Sequence, residues 1–154
     1  MRIALGFDGV IVEQEGRLYH DTQTPLVFVP GAEQGLRALK AAGHLLIVSS
    51  SRANLALRED PLLDPLVRDG VVLLNRAAWE KAQPVYVARY EQMVTFVRTR
   101  LAGVIDAIDD GRQGKVSADL YLDSQAVRLA RGGVGAQPWS AIAALWGARV
   151  YPPR

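Results

Sequence analysis

Several side chains in this sequence are of the types that bind metal ions and phosphate groups. Carboxylates offer hard oxygen ligands to Mg²⁺, whereas hydroxyl and ammonium groups donate hydrogen bonds and positive charge to phosphoryl oxygens. Most of these side chains follow short apolar segments of the kind that form buried strands, whereas Lys115 lies shortly before one of them. We therefore expect a site for a divalent metal and a phosphate where those segments end. The residues are Asp8, Ser49, Ser50, Ser51, Lys115, Asp123 and Ser124.

The elements that would position these side chains are short strands. Four segments have the continuous apolar character of strands that are buried on both faces of a parallel sheet. Ligands bind outside the carboxyl ends of such strands. Asp8 follows the first segment, serines 49–51 with Arg52 follow the second, and Asp123 with Ser124 follow the last. The predicted strands are Ile3–Phe7, Leu45–Val48, Val71–Leu74 and Leu120–Leu122.

Helices are predicted between and after these strands. The stretch "PGAEQGLRALKAAG" has Pro30 at its entrance and Gly43 at its end, and a second apolar period runs from Tyr90 to Leu101. The segments "SQAVRLARGG" and "PWSAIAALWG" are helical by pattern. Strands that alternate with helices predict an α/β fold, a three-layer α/β/α sandwich with a mostly parallel sheet.

One segment interrupts this alternation. "VIVEQEGRLYH", residues 10–20, has two short β-rich arms around Glu15-Gly16 and predicts a β-hairpin flap over the carboxyl edge of the sheet. Residues 60–69 are expected to form a short prolyl helix or a loop, and no linker divides the chain. We therefore expect a single domain over residues 1–154.

Composition narrows the class of protein. The chain has 154 residues, 49% of them hydrophobic, and a net charge of +2 without clustered cations, which disfavours a nucleic-acid surface. Cysteine is absent, which excludes disulfides and thiolate metal sites. No signal segment or membrane-spanning apolar run is evident, so we expect a cytoplasmic protein with no membrane partner.

The segments "FDGVIV", "LLIVSSSR" and "GKVSADLYLDS", in this order, resemble the haloacid dehalogenase (HAD) superfamily, which consists mostly of Mg²⁺-dependent phosphatases. The resemblance covers nearly the whole chain and implies a Rossmann-like sandwich with a flap but no large cap. It implies that Asp8 is the acid/base residue and binds Mg²⁺ through its main-chain carbonyl. It also implies phosphate binding by Ser50, Ser51 and Lys115, and metal binding by Asp123 with a weak contribution from Ser124.

The sequence departs from this pattern at two positions. Gly6 stands where the family has its nucleophilic aspartate, and Ser124 replaces an acidic metal ligand. Glycine has no attacking group, so covalent catalysis is impaired. Asp21 is a remote substitute for the nucleophile, and Asp119 lies at the wrong end of its strand. The leading hypothesis is a catalytically impaired HAD-like domain that binds a small phosphorylated molecule or a protein partner, with a weakened Mg²⁺ site.

Two other functions remain open. One is an active Mg²⁺-dependent phosphatase in which Gly6 is not the native residue or another group attacks in its place. The other is a structural domain that forms homo-oligomers through exposed tryptophans and the flap. Several of the candidate site residues also have a simpler structural interpretation. Asp8-Gly9 is a common turn pair, serines 49–51 are good helix caps, and Lys115 is typical of a solvated loop. Asp106, Asp109 and Asp110 predict a solvated acidic loop.

Overall fold

The computed structural model describes residues 1–14 and 21–123, and within them the chain forms a four-stranded parallel sheet. The strands lie in the order β3-β2-β1-β4, and every pairing is parallel. The predicted α/β class with a parallel sheet is confirmed at this level. The strands are β1 (Arg2–Leu5), β2 (Leu45–Val48), β3 (Ala107–Ile108) and β4 (Leu120–Leu122).

One face of the sheet carries the hydrophobic core. Ala4, on the opposite face of β1, is buried as well. Ile3, Leu5 and Leu46 are fully buried on the core face, where alternate side chains of a strand point. They pack with apolar side chains of two helices, α1 (Ala32–Ala41) and α4 (Arg76–Arg100). From α1 these are Leu36 and Leu39, and from α4 they are Met93, Phe96 and Val97.

Both long helices have local signals at their ends. Gly43, with φ of 83°, takes the left-handed conformation that ends α1, as its position after the apolar period predicts. The Asn75 side chain accepts a hydrogen bond from the Ala78 N–H and so caps the first turn of α4. Both predicted helices are confirmed, although α4 begins well before the expected Tyr90.

The segment after β2 folds into short turns. Two 3₁₀ turns, Ser51–Ala53 and Pro61–Leu63, alternate with the four-residue helices α2 (Leu55–Arg58) and α3 (Pro65–Arg68). Asp64 caps α3 by accepting from the Leu66 N–H. The expected prolyl helix or loop over residues 60–69 is confirmed.

The predicted strand Val71–Leu74 is wrong. The Val72 N–H donates to the Leu66 carbonyl oxygen, so the segment folds back on α3, and Leu73 is 92% exposed. A four-residue apolar run cannot by itself distinguish a strand from a loop. The strand beside β2 is instead β3, which lies inside the expected acidic loop between Asp106 and Asp109.

The segment that follows β1 pairs with the chain near residue 28. Val12 pairs antiparallel with Phe28, and the Glu13 N–H and Val29 N–H donate across the same two segments. Residues 15–20, the tip and return arm of the predicted flap, lie outside the described residues. The described pairing therefore joins the first predicted arm to residues 27–29.

The predictions for residues 124–154 also lie outside the described residues. They concern Ser124, the two helical segments after Leu122, and Trp139 and Trp146. Among the helices of residues 1–14 and 21–123, none combines the length and apolar character needed to cross a membrane.

Candidate functional site

The carboxyl ends of three adjoining strands are level with one another. Leu5 at the end of β1 is in register with Val48 on β2 and with Leu122 on β4. Beyond these residues, the Gly6 N–H donates to the Leu122 carbonyl oxygen, and the Ser49 N–H donates to the Leu5 carbonyl oxygen. This edge of the sheet, formed by residues 6–8, 49–52 and 123, is called the strand-edge site below. It brings together Gly6, Asp8, the serines and Asp123, as predicted.

Asp8 forms a two-point ion pair with Arg52. Arg52 Nε lies 2.7 Å from Asp8 Oδ2, and Arg52 Nη2 lies 2.6 Å from Asp8 Oδ1. Side-chain exposure is 3% for Arg52 and 16% for Asp8. Arg89 Nη2 lies 3.7 Å from Asp8 Oδ2 as a second cation. Such bidentate pairs fix both partners in one geometry, so the Asp8 carboxylate is held with both oxygens occupied.

The Arg52 guanidinium is anchored on its other sides as well. Its Nη1 donates to the Arg89 carbonyl oxygen at 2.9 Å and to Gln92 Oε1 at 3.2 Å. Its central carbon lies 5.0 Å from the centre of the Phe7 ring. All three guanidinium nitrogens thus donate hydrogen bonds, as a buried arginine requires.

Gln92 extends this network to the chain that returns after the flap. Its Nε2 donates to the carbonyl oxygens of Thr22 and Thr24 at 3.3 and 3.4 Å. Asp21, the remote candidate for a nucleophile, accepts from the backbone N–H groups of Gln23 and Thr24. Its carboxylate therefore shapes a local turn.

Gly6 lies in a confined position. A Cβ atom there would lie 3.1 Å from Val10 Cγ2, 3.4 Å from the Leu122 carbonyl oxygen and 3.7 Å from Asp123 Cα. The first distance is tighter than ordinary packing, so a side chain at this position requires Val10 to shift. Part of the space that a side chain at position 6 would need is thus filled by Val10.

The serines differ in what they contact. Ser50 Oγ accepts from the Arg52 N–H and caps the turn Ser51–Ala53, which confirms the capping interpretation. Ser49 Oγ donates to Asp109 Oδ2 at 3.4 Å. The Ser51 residue is exposed at the start of the turn. Phosphate binding by Ser50 and Ser51 stays a prediction.

Three candidate residues near β4, Lys115, Asp119 and Asp123, occupy different places around the strand. Lys115 Nζ lies 4.5 Å from the centre of the Tyr121 ring, beside the loop that precedes the strand. Its described contact is therefore not at the carboxyl end of β4. Asp119 Oδ2 accepts from the Arg2 N–H at the amino end of the sheet, as expected, whereas Asp123 is exposed next to Gly6.

Arg89 and Gln92 were missed by reasoning from the sequence. Arg89 precedes Met93 by four residues and Phe96 by seven, so all three share the buried face of α4. An arginine within the apolar stripe of a helix predicts a buried anionic partner, because an unpaired buried charge is costly. That signal could have pointed to Asp8.

The surroundings of the Asp8 carboxylate do not fit a divalent metal ion, whereas metal binding through the Asp8 main-chain carbonyl and Asp123 stays a prediction. Both carboxylate oxygens accept from Arg52, and a second guanidinium lies next to Oδ2. A cation at this carboxylate would displace these donors and meet two like charges. Among residues 1–14 and 21–123, no group of three or more His, Cys, Asp or Glu side chains could hold a metal ion.

Comparison with known proteins gave no match to a protein-family model, a curated protein or a solved structure.

Proposed function

We propose that this chain is a HAD-like domain that has lost phosphatase chemistry and binds a phosphorylated small molecule or protein partner at the strand-edge site. The observation that carries the proposal is the ion pair between Asp8 and Arg52. An acid/base residue must reach the proton that it transfers. The Asp8 carboxylate instead has both oxygens occupied by a buried guanidinium.

The position of Gly6 supports the loss of chemistry. Glycine offers no attacking atom, and Val10 fills part of the space that a side chain would need. Asp21 is the candidate substitute for the nucleophile beside the flap. Its carboxylate accepts two backbone hydrogen bonds within a local turn. The nucleophile and the acid/base residue are thus both compromised.

The charges around Asp8 support an anionic ligand. Two guanidinium groups, those of Arg52 and Arg89, lie beside the Asp8 carboxylate, so cationic side chains adjoin this edge of the sheet. The exposed Ser51 adjoins the same edge and offers a hydroxyl donor. Phosphoryl oxygens accept hydrogen bonds from such groups.

We also propose that the domain has three layers, with helices on both faces of the sheet. Helices α1 and α4 pack on the sheet face that carries Ile3 and Leu5. Parallel sheets are normally covered on both faces, and the opposite face carries Leu45 and Tyr121, which are 49% and 36% exposed, beside the buried Ala4. A second helical layer over that face would complete the sandwich.

Inorganic phosphate tests the ligand. We expect millimolar phosphate to raise the melting temperature of the wild-type protein, and Ser51→Ala to reduce that shift. Ser117 is likewise an exposed serine, away from this edge, and Ser117→Ala is the matched control. An absent shift in the wild type, or equal shifts in both variants, would count against binding at this edge.

A second candidate is a structural domain that associates through an apolar surface. Leucines 62, 63 and 66 on and around α3 are about half exposed, and Val71 is 71% exposed. Contiguous exposed apolar residues mark interaction surfaces. This candidate predicts a concentration-dependent increase in molar mass by light scattering that Leu73→Asp abolishes, with Leu45→Asp as the control.

A further inference from the structure

The loop that follows β3 packs against the turn that carries Ser51 and Arg52. Residues 109–112 form this loop, which is called the β3 loop below, and they begin where β3 ends at the carboxyl edge of the sheet. The turn Ser51–Ala53 follows β2, the neighbouring strand. Parallel pairing of β2 and β3 therefore brings the two segments together, although they are far apart in the sequence.

Gly111 makes the close backbone contact between the two segments. A Cβ atom at this position would overlap the Ala53 carbonyl oxygen and would lie 3.2 Å from the Ala53 carbonyl carbon. The Gly111 φ of 82° is also in the left-handed region that favours glycine. Ala53 is buried and directly follows Arg52, so a side chain that displaces Ala53 also moves Arg52. A glycine is therefore required for this contact.

Arg58 fastens the same two segments. Its Nη2 donates to the Ala53 carbonyl oxygen at 3.0 Å and to the Asp110 carbonyl oxygen at 2.8 Å. The guanidinium itself lies over the Tyr90 ring of α4, with its central carbon 3.8 Å from the ring centre. One nitrogen, held against a helix, thus fixes the separation of a carbonyl in the turn from a carbonyl in the β3 loop.

Asp109 shapes the β3 loop from its other end. Its Oδ1 accepts from the Gly111 N–H at 2.9 Å, and its Oδ2 accepts from Ser49 Oγ at 3.4 Å. The first contact holds the backbone of Gly111, and the second joins the loop to the first residue after β2. The β3 loop is therefore tied to the chain both before and after the Ser51 turn.

We propose that Gly111 is a positioning residue of the strand-edge site. By packing on Ala53, it holds the turn in the conformation in which Arg52 reaches Asp8 and Ser51 is available to an anionic ligand. A donor that is fixed before binding loses less conformational freedom on binding, so this contact raises the affinity for the anion. The statement about the ligand rests on the proposed function, whereas the statement about Arg52 does not.

Two glycine substitutions isolate this contact. Gly114 also has a positive φ, 71°, but a Cβ atom there would meet no other atom within 4 Å. Gly111→Ala and Gly114→Ala therefore both strain the backbone, and Gly111→Ala in addition displaces Ala53. A difference between the two variants reports the contact with Ala53.

The NMR resonance of the Arg52 Nε–H reports the position of Arg52, because this group donates to Asp8 Oδ2. Its absence from the spectrum of Arg52→Lys identifies it. We expect the resonance to shift or disappear in Gly111→Ala and to keep its wild-type position in Gly114→Ala. A merely structural role would lower the melting temperature of Gly111→Ala and leave this resonance of the folded protein unchanged.

Two results would overturn the proposal. One is an unchanged Arg52 resonance in folded Gly111→Ala, and the other is an equal change in Gly114→Ala. If Gly111→Ala does not fold, Arg58→Met decides, because it removes the donor to Ala53 and Asp110 but keeps an apolar side chain beside Tyr90. A changed Arg52 resonance in that variant supports the proposal, and an unchanged one overturns it.

Inorganic phosphate tests the statement about the ligand with the same proteins. We expect the phosphate-induced rise in melting temperature to be lost for the most part in Gly111→Ala and kept in Gly114→Ala. Equal rises in the wild type and Gly111→Ala would overturn the effect on the ligand. No rise in the wild type would overturn the proposed function, while the Arg52 resonance still decides whether Gly111 positions Arg52.

Discussion

At the scale of single residues, Asp8 and Arg52 depend on each other. Removing one partner of a buried ion pair leaves an uncompensated charge, whereas replacing both with apolar groups is often neutral. Arg52 is the more deeply buried partner, so removal of Asp8 leaves its positive charge buried without an anion. The pair is therefore expected to matter more to stability than the surface ion pairs of the same molecule.

We expect Asp8→Ala to lower the free energy of unfolding by about 3 kcal/mol, because Arg52 is then buried without its anion. Urea denaturation of both proteins measures this difference. Asp8→Ala combined with Arg52→Met should recover part of the loss. A change of about 0.5 kcal/mol or less, as for an exposed pair, would contradict the account.

The residues of this site were predictable only in part. Asp8 and Ser50 follow apolar segments, and that position alone placed them at the sheet edge. The ion pair between Asp8 and Arg52 was not predicted, although Arg52 follows the same apolar segment as Ser50, because arginine side chains usually extend into solvent. Arg89 reaches the site only because α4 crosses that edge of the sheet.

At the scale of elements, α4 depends on its cap. Asn75 precedes the helix, and its side-chain oxygen satisfies the Ala78 N–H at 3.0 Å. We expect Asn75→Ala to destabilise the protein by about 1 kcal/mol, because that donor loses its partner. Thermal or urea unfolding measures the loss. Asn75→Ser keeps an oxygen acceptor and should stay within a few tenths of a kcal/mol of the wild type; equal losses in both variants would exclude a capping role.

The contacts of Asp106, which precedes β3, with α1 and β2 make the stability of the fold depend on pH. The Lys40 ammonium and the Leu46 N–H donate to the Asp106 carboxylate and hold its pKa below the ordinary value of 3.8. A carboxylate with a lowered folded-state pKa stabilises the fold above the unfolded-state pKa. That contribution is lost as the pH falls through the folded-state value.

We therefore expect wild-type stability to fall towards that of Asp106→Asn as the pH drops below about 4. Urea unfolding at a series of pH values measures the difference between the two proteins. Asp69→Asn, which alters an exposed pair with the adjacent Arg68, is the control. A difference that stays constant across the acidic range would contradict the assignment.

Helices and strands whose ends carry clear sequence signals were predicted, and those without such signals were not. Helix α1 lies between Pro30 and Gly43. The apolar runs of β2 and β4 are followed at once by Ser49 and Asp123, and that of β1 is followed within three residues by Asp8. Val71–Leu74 is equally apolar but lies on the surface, and the two-residue β3 is too short to give a period. Pairing with β2, which is a tertiary contact, decides that β3 is a strand.

At the scale of the whole molecule, the sheet order determines the site. Because β1 lies between β2 and β4, residues far apart in the sequence meet at one edge. The order also places the long helix α4 so that its buried arginine reaches Asp8. The fold thus supports the ion pair on which the proposed loss of catalysis depends.

The most direct test of the account is turnover of a generic phosphomonoester in the presence of Mg²⁺, measured for the wild type and for Asp8→Asn. The account predicts that the wild-type rate does not exceed that of Asp8→Asn, because Gly6 offers no nucleophile and Asp8 is bound by Arg52. Gly6→Asp, measured alongside, shows whether a carboxylate at that position adds any rate. Metal-dependent turnover by the wild-type protein that Asp8→Asn abolishes would contradict the account.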